Sequence, residues 1–122
     1  METLEEELRI TAVEFGARIV AREFEAAHQL LSPQLASEIS PGDLEHEFDE
    51  MIVHFDTEDA APVPDALQKV DEDDFGQWIY MPIEGDGELE AITLALKKED
   101  GQYRITDIEW GKVWKEGPGS GV

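Results

Sequence analysis

Cysteine is absent from the 122 residues, which removes disulfide bonding, a thiolate nucleophile and any thiolate-bound zinc at once. Basic residues are scarce: nine Lys and Arg stand against 30 Asp and Glu, for a net charge of −21. A surface of that sign repels phosphate, so the cationic groove that supplies most affinity for nucleic acid is missing. Anionic membrane surfaces are disfavoured on the same ground, since the longest basic run is Lys97-Lys98. No stretch approaches the roughly 18 consecutive apolar residues of a membrane-spanning helix. The opening METLEEE is acidic and amphipathic rather than basic then apolar, so the expected location is the cytoplasm. A glycine-rich phosphate loop, a Gly-x-Ser-x-Gly elbow and a His-Glu-x-x-His pair are all missing, and no cofactor is implied.

What is present can fold. Hydrophobic content is 41%, with three Trp, five Phe and two Tyr, enough for one core despite the charge. The expected organisation is a single domain over residues 1–116, followed by a Gly- and Pro-rich tail, 117–122, with nothing to pack. The acidity attracts a basic protein, a polycation or a divalent cation, with steering that salt weakens. Its plainest purpose is solubility, in ordinary or salt-rich surroundings.

Leu4, Leu8, Ala12, Phe15 and Ile19, then Val20, Phe24 and Ala27, recur at the helical period, which predicts one long helix over residues 4–27. Thr3 and Glu6 have capping-box spacing at its start, and Gly16 within it predicts close packing against another element. Ser32-Pro33 and Ser40-Pro41 repeat a start signal in which the hydroxyl caps and proline fills the first turn. Two short helices follow, over about 33–39 and 41–55, the second burying Leu44, Phe48, Met51, Ile52 and Phe55. Residues 56–65, with Pro62 and Pro64 among acids, read as a connection.

The period then becomes two. Residues 77–83, 88–98 and 103 to about 115 read as an antiparallel meander, with a weaker strand over 66–71 before it. Gly85-Asp86-Gly87 and Glu99-Asp100-Gly101 supply its turns. The apolar parity changes between Ile105 and Ile108, which predicts a bulge near Thr106 and Asp107 that bends the sheet. Helices first and a bent antiparallel sheet second make an α+β fold of about four strands.

At this point a family resemblance enters. FEAAHQLLSPQLASEISPGDL (residues 24–44), followed by Phe48 and Met51, resembles the helical half of small bacterial domains of the nuclear transport factor two-like, or cystatin-like, superfamily. GQYRITDIEWG (residues 101–111) resembles that superfamily's last strand. The resemblance implies a cone-shaped roll, in which a curved sheet wraps the long helix and its concave side can leave a pocket. Isomerases, dehydratases, polyketide cyclases, transport adaptors and immunity proteins share that fold, so it selects no chemistry. No complete set of acid, base and oxyanion donor matches these positions.

Candidate site residues fall in the sheet: Trp78, Tyr80, Glu90, Asp107, Glu109, Trp110 and Trp114. A carboxylate in an apolar cone can act as general acid or base with a tyrosine as oxyanion donor, though sheet aromatics are more often core or interface. Left exposed, the four aromatics make a dimer surface. His46, Glu50 and His54 share one helix face at metal-ligand spacing, but that face points away from Leu44 and Phe48 into solvent. His28 has no acid or nucleophile at a recognisable spacing, and residues 71–74 (DEDD) lack the glycine and final glutamate of a calcium loop. The leading expectation is a non-catalytic domain that binds a protein partner, itself included, or a small apolar ligand through the sheet face or cone pocket. The alternatives are an isomerase- or dehydratase-type enzyme and an acidic immunity or inhibitor protein against a basic toxin.

Overall fold

A computed structural model of the chain describes residues 5–52, 61–63, 66–85 and 88–111. Helix α1 (Glu6–Val20) buries Leu8, Ala12, Phe15, Gly16 and Ile19 as one stripe, with Glu6 and Glu7 at its positive end and Arg18 at its negative end. Thr3 lies outside the described residues. The N-cap is Glu5, which makes no capping bond; its carboxylate instead accepts from the Tyr103 hydroxyl at 2.6 Å.

The single rod expected over 4–27 is broken. Arg22 adopts φ 62°, the Arg22 N–H donates to the Ile19 carbonyl, and the Glu23 N–H reaches back to the Arg18 carbonyl at 2.8 Å. This is the paired Schellman closure of a helix end, with arginine where glycine is usual. Arg22 has compensating partners: Nη2 lies 3.0 Å from Asp49 Oδ1 and 3.3 Å from Glu45 Oε2. A short helix α2 (Phe24–His28) follows.

Helices α3 (Pro33–Glu38) and α4 (Pro41–Met51) begin at the two Ser-Pro signals. Ser32 Oγ accepts from the Leu35 N–H, and Ser40 with Asp43 forms a complete capping box. Leu44, Phe48 and Met51 form the inner stripe of α4. Phe55, at the far end of the expected helix, lies outside the described residues.

The sheet comprises β1 (Ala61–Pro62), β2 (Gln68–Asp73), β3 (Gly76–Gly85), β4 (Glu88–Glu99) and β5 (Gln102–Trp110), all paired antiparallel. Among the described residues the sheet has five strands, against about four expected, because the presumed connection contributes the two-residue β1, whose Pro62 pairs with Ile83. Both β1 and β2 pair with β3, and the order continues through β4 to β5. The β4–β5 turn holds Asp100 and Gly101 at φ 53° and 82°, as a two-residue hairpin requires. Ala95 pairs with Asp107 and Leu96 with Ile105, so Thr106 is the extra residue of the expected bulge. The free edge of β5 is met by the α2–α3 link, where Ser32 N–H donates to the Ile105 carbonyl at 2.8 Å.

The molecule is α+β, with helices packed on a curled antiparallel sheet. Leu8, Phe15 and Ile19 of α1 meet Ile79, Met81, Ile83, Ile92, Leu94, Leu96 and Ile105 from the inner sheet face in one buried cluster. Gly16 permits the close approach expected of it: a Cβ there would stand 2.8 Å from Met81 Cε. Among the described residues no helix is long and apolar enough to cross a membrane.

Candidate functional site

Strand register sorts the sheet candidates onto two faces. Trp78, Ala95 and Asp107 form one cross-strand row, and Tyr80, Thr93 and Glu109 the next, on the face turned away from the core cluster. Glu90 pairs with Ile83 and Trp110 with Ile92, which assigns those two to the helix side. Trp110 is half-buried there, with its ring centroid 6.4 Å from that of Phe15. The candidates therefore do not converge on one centre. Trp114 lies outside the described residues.

Two of the four aromatics of the expected dimer surface are covered in the single chain. Trp78 and Tyr80 are only 6% and 9% exposed, and Ala95 and Thr93 beside them are fully buried. Trp78 Nε1 donates to Asp73 Oδ2 at 2.8 Å. The concave side is occupied as well: Phe15, Phe48, Ile79, Met81, Ile92 and Leu94 are all fully buried.

The remaining candidates stand apart from one another. His46 and Glu50 are exposed on α4, and His54 lies outside the described residues. Among the described residues no group of three or more His, Cys, Asp or Glu could hold a metal ion. His28 Nε2 faces the carbonyls of Ile39 at 2.8 Å and Ala36 at 3.2 Å, so Nε2 carries the hydrogen and the ring caps the end of α3. Asp71, Glu72 and Asp73 belong to β2 rather than to a turn, and all three are exposed.

Two grooves open at the sheet margin, and Asp107 lines both. The smaller, about 300 Å³, lies between α4 and β5 over Ile108 and Trp110, with His46 at its rim. The larger, about 610 Å³, runs from α3 across the bulge to the β2–β3 turn. Its walls include Leu35 and Phe75, with Glu38, Asp74, Glu99 and Asp107 and, as the one cation among the described residues, Lys97. Phe75 escapes sequence reasoning because it breaks no period. The available signal is an aromatic set between an acidic run and a glycine.

Electrostatics follow the composition. Among the described residues, Arg18, Arg22, Lys69 and Lys98 each lie within ion-pair distance of a carboxylate. The Glu5 carboxylate that accepts from the Tyr103 hydroxyl, helped by burial, pushes the phenol up to about 12.

Compared with protein-family models, with curated proteins and with solved structures, the chain finds no match.

Proposed function

We propose that this chain is a non-catalytic cytoplasmic binding domain that engages a cationic protein partner through its outer surface. The observation that carries the reading is the division of the site candidates. Trp78, Tyr80, Asp107 and Glu109 lie on the outer face of the sheet and Glu90 and Trp110 on the inner one, while the concave interior is filled by Phe, Ile, Leu and Met. General acid–base chemistry needs its donor and acceptor within reach of one reacting atom. Binding needs only a surface, and one with a net charge of −21 selects for positive partners and speeds their approach.

The resemblance to the nuclear transport factor two-like superfamily accords with this reading, since transport adaptors and immunity proteins occur beside its enzymes. An immunity or inhibitor protein against a basic toxin is one form of it. A homodimer through the sheet aromatics and a small apolar ligand in the cone draw less support, because Trp78 and Tyr80 are covered and the inner face is packed. The isomerase or dehydratase alternative draws less support, because the candidate acids and aromatics are divided between the two faces of the sheet.

Calorimetric titration with a cationic, a neutral and an anionic peptide of equal length tests the proposal at two ionic strengths. Binding confined to the cationic peptide and weakened by salt is expected. Stoichiometric uptake of an apolar fluorophore by the native chain, without any peptide binding, would favour the pocket reading instead.

A further inference from the structure

The turn that displays Phe75 is held from several sides. The Phe75 N–H donates to Asp73 Oδ1 at 2.9 Å, and its carbonyl accepts from the Thr106 hydroxyl at the bulge. Lys97 Nζ lies 3.5 Å from the Asp74 carbonyl. Gly76 closes the turn at φ 121°, with the Leu96 carbonyl oxygen only 2.2 Å from where a Cβ would stand. The turn is thus pressed onto β4 and tied to β5, yet the ring it carries is 49% exposed. Exposed aromatics on a fixed backbone are the usual anchors of protein interfaces, since little freedom remains to be lost on docking.

The surroundings of the ring specify what it would anchor. Four carboxylates, Glu38, Asp74, Glu99 and Asp107, line the same groove with Leu35 and Phe75. Lys97, the only cation lining it among the described residues, is the one that approaches the Asp74 carbonyl. An apolar chain would leave those carboxylates facing it without counter-charge, and an anionic one would be repelled. A guanidinium can meet both features, stacking on the ring face while its N–H groups pair with the carboxylates.

We propose that this groove is the docking site for an arginine-bearing segment of the partner, with a guanidinium over Phe75 and Asp107 and Glu99 as its counter-charges. The inference rests on the reading of the chain as a binder of cationic protein and names the place and the side chain.

Fluorescence anisotropy with a labelled peptide of alternating Arg and Leu, and with its citrulline counterpart of the same shape and no charge, tests it. Phe75→Ala, and separately the pair Glu99→Gln with Asp107→Asn, should each weaken the Arg peptide about tenfold or more. The pair Glu14→Gln with Glu25→Gln removes as much charge away from the groove and should change affinity less than about twofold, by screening. Thermal melts of each variant confirm folding, which the exposure of Phe75 favours. Unchanged affinity in Phe75→Ala, or equal losses in the two charge pairs, overturns the groove and leaves the broader reading intact. No binding of the Arg peptide by the wild-type chain overturns both. Self-association that Phe75→Ala abolishes, with no peptide bound, assigns the groove to a second copy and overturns the arginine proposal. Equal binding of the citrulline peptide shows an apolar site and also overturns it.

Discussion

Gly16 and Gly76 are both crowded, but by neighbours of different stiffness, and the same substitution should separate them. At Gly76 a methyl group would meet the Leu96 carbonyl at 2.2 Å with the backbone at φ 121°, so backbone must move and β3 with it. Gly76→Ala should therefore cost at least about 3 kcal/mol in urea denaturation. At Gly16 the obstacle is the flexible end of Met81, and alanine gains about 1 kcal/mol of helix propensity against the cost of moving it. Gly16→Ala should stay within about 1 kcal/mol of wild type; equal losses at the two sites would refute the distinction. Tyr103 makes a second prediction at this scale. Its phenol is pushed up to about 12 from 10.0, chiefly by the hydrogen bond to the Glu5 carboxylate, so the folded chain holds that proton more tightly than the unfolded chain. The stabilisation is whole below pH 10 and is lost as the pH climbs from about 10 to about 12. Tyr103→Phe should cost about 1 kcal/mol at neutral pH and flatten this alkaline decline. Parallel stability curves for the two proteins would show that the bond carries no such linkage.

The starts of α3 and α4, the β4–β5 turn and the bulge are legible in this sequence because each is decided within a few residues, whereas α1 starts at Glu6 without the capping box expected two residues earlier. Ser40 provides the cap and Pro41 the first turn, with Asp43 returning the bond, so Ser40→Ala should lower stability by about 1 kcal/mol. Urea denaturation measures it, and a change below a few tenths would mean that solvent satisfies the end of α4 as well as the hydroxyl does. The Thr106 bulge is visible for a similar reason, since an inserted residue must shift the apolar parity after it. What escapes depends on partners far along the chain. The break after α1 falls on Arg22, a residue with no local signal for a left-handed turn, whose ion-pair partners Glu45 and Asp49 belong to α4. Strand β1 is too short to show a period and forms only because β3 offers it an edge. The candidate site divides along the same line. Alternation correctly groups Trp78 with Tyr80 on one face and Ile79 with Met81 on the other, but periodicity has no means of saying that the first pair is covered. Phe75 belongs to no period, and its place beside Thr106 comes from the contact between the hairpin tip and the bulge.

For the molecule as a whole the dominant long-range quantity is a net charge of −21 on 122 residues. A folded chain of this length has a radius of gyration of about 14 Å. At about 0.01 M salt the screening length is about 30 Å, so every carboxylate repels every other across the entire fold; at about 0.15 M it shrinks to about 8 Å and only neighbours interact. Unfolding spreads the charges apart, and dilute buffer therefore favours the unfolded chain. Salt also weakens the attractive pairs at Arg18, Arg22 and Lys98, but these are exposed and such pairs contribute little. Relief of repulsion should win, raising Tm by several °C between those two salt concentrations. Sodium chloride and sodium sulfate at equal ionic strength should act alike over this range if screening is the cause, whereas a clear advantage for sulfate would point to strengthened burial of the core. A Tm that stays level or falls as salt is added would mean that the acidic surface is not under repulsive load. The same long-range field would then give little steering to a cationic partner, and the on-rate of the arginine peptide should prove insensitive to ionic strength.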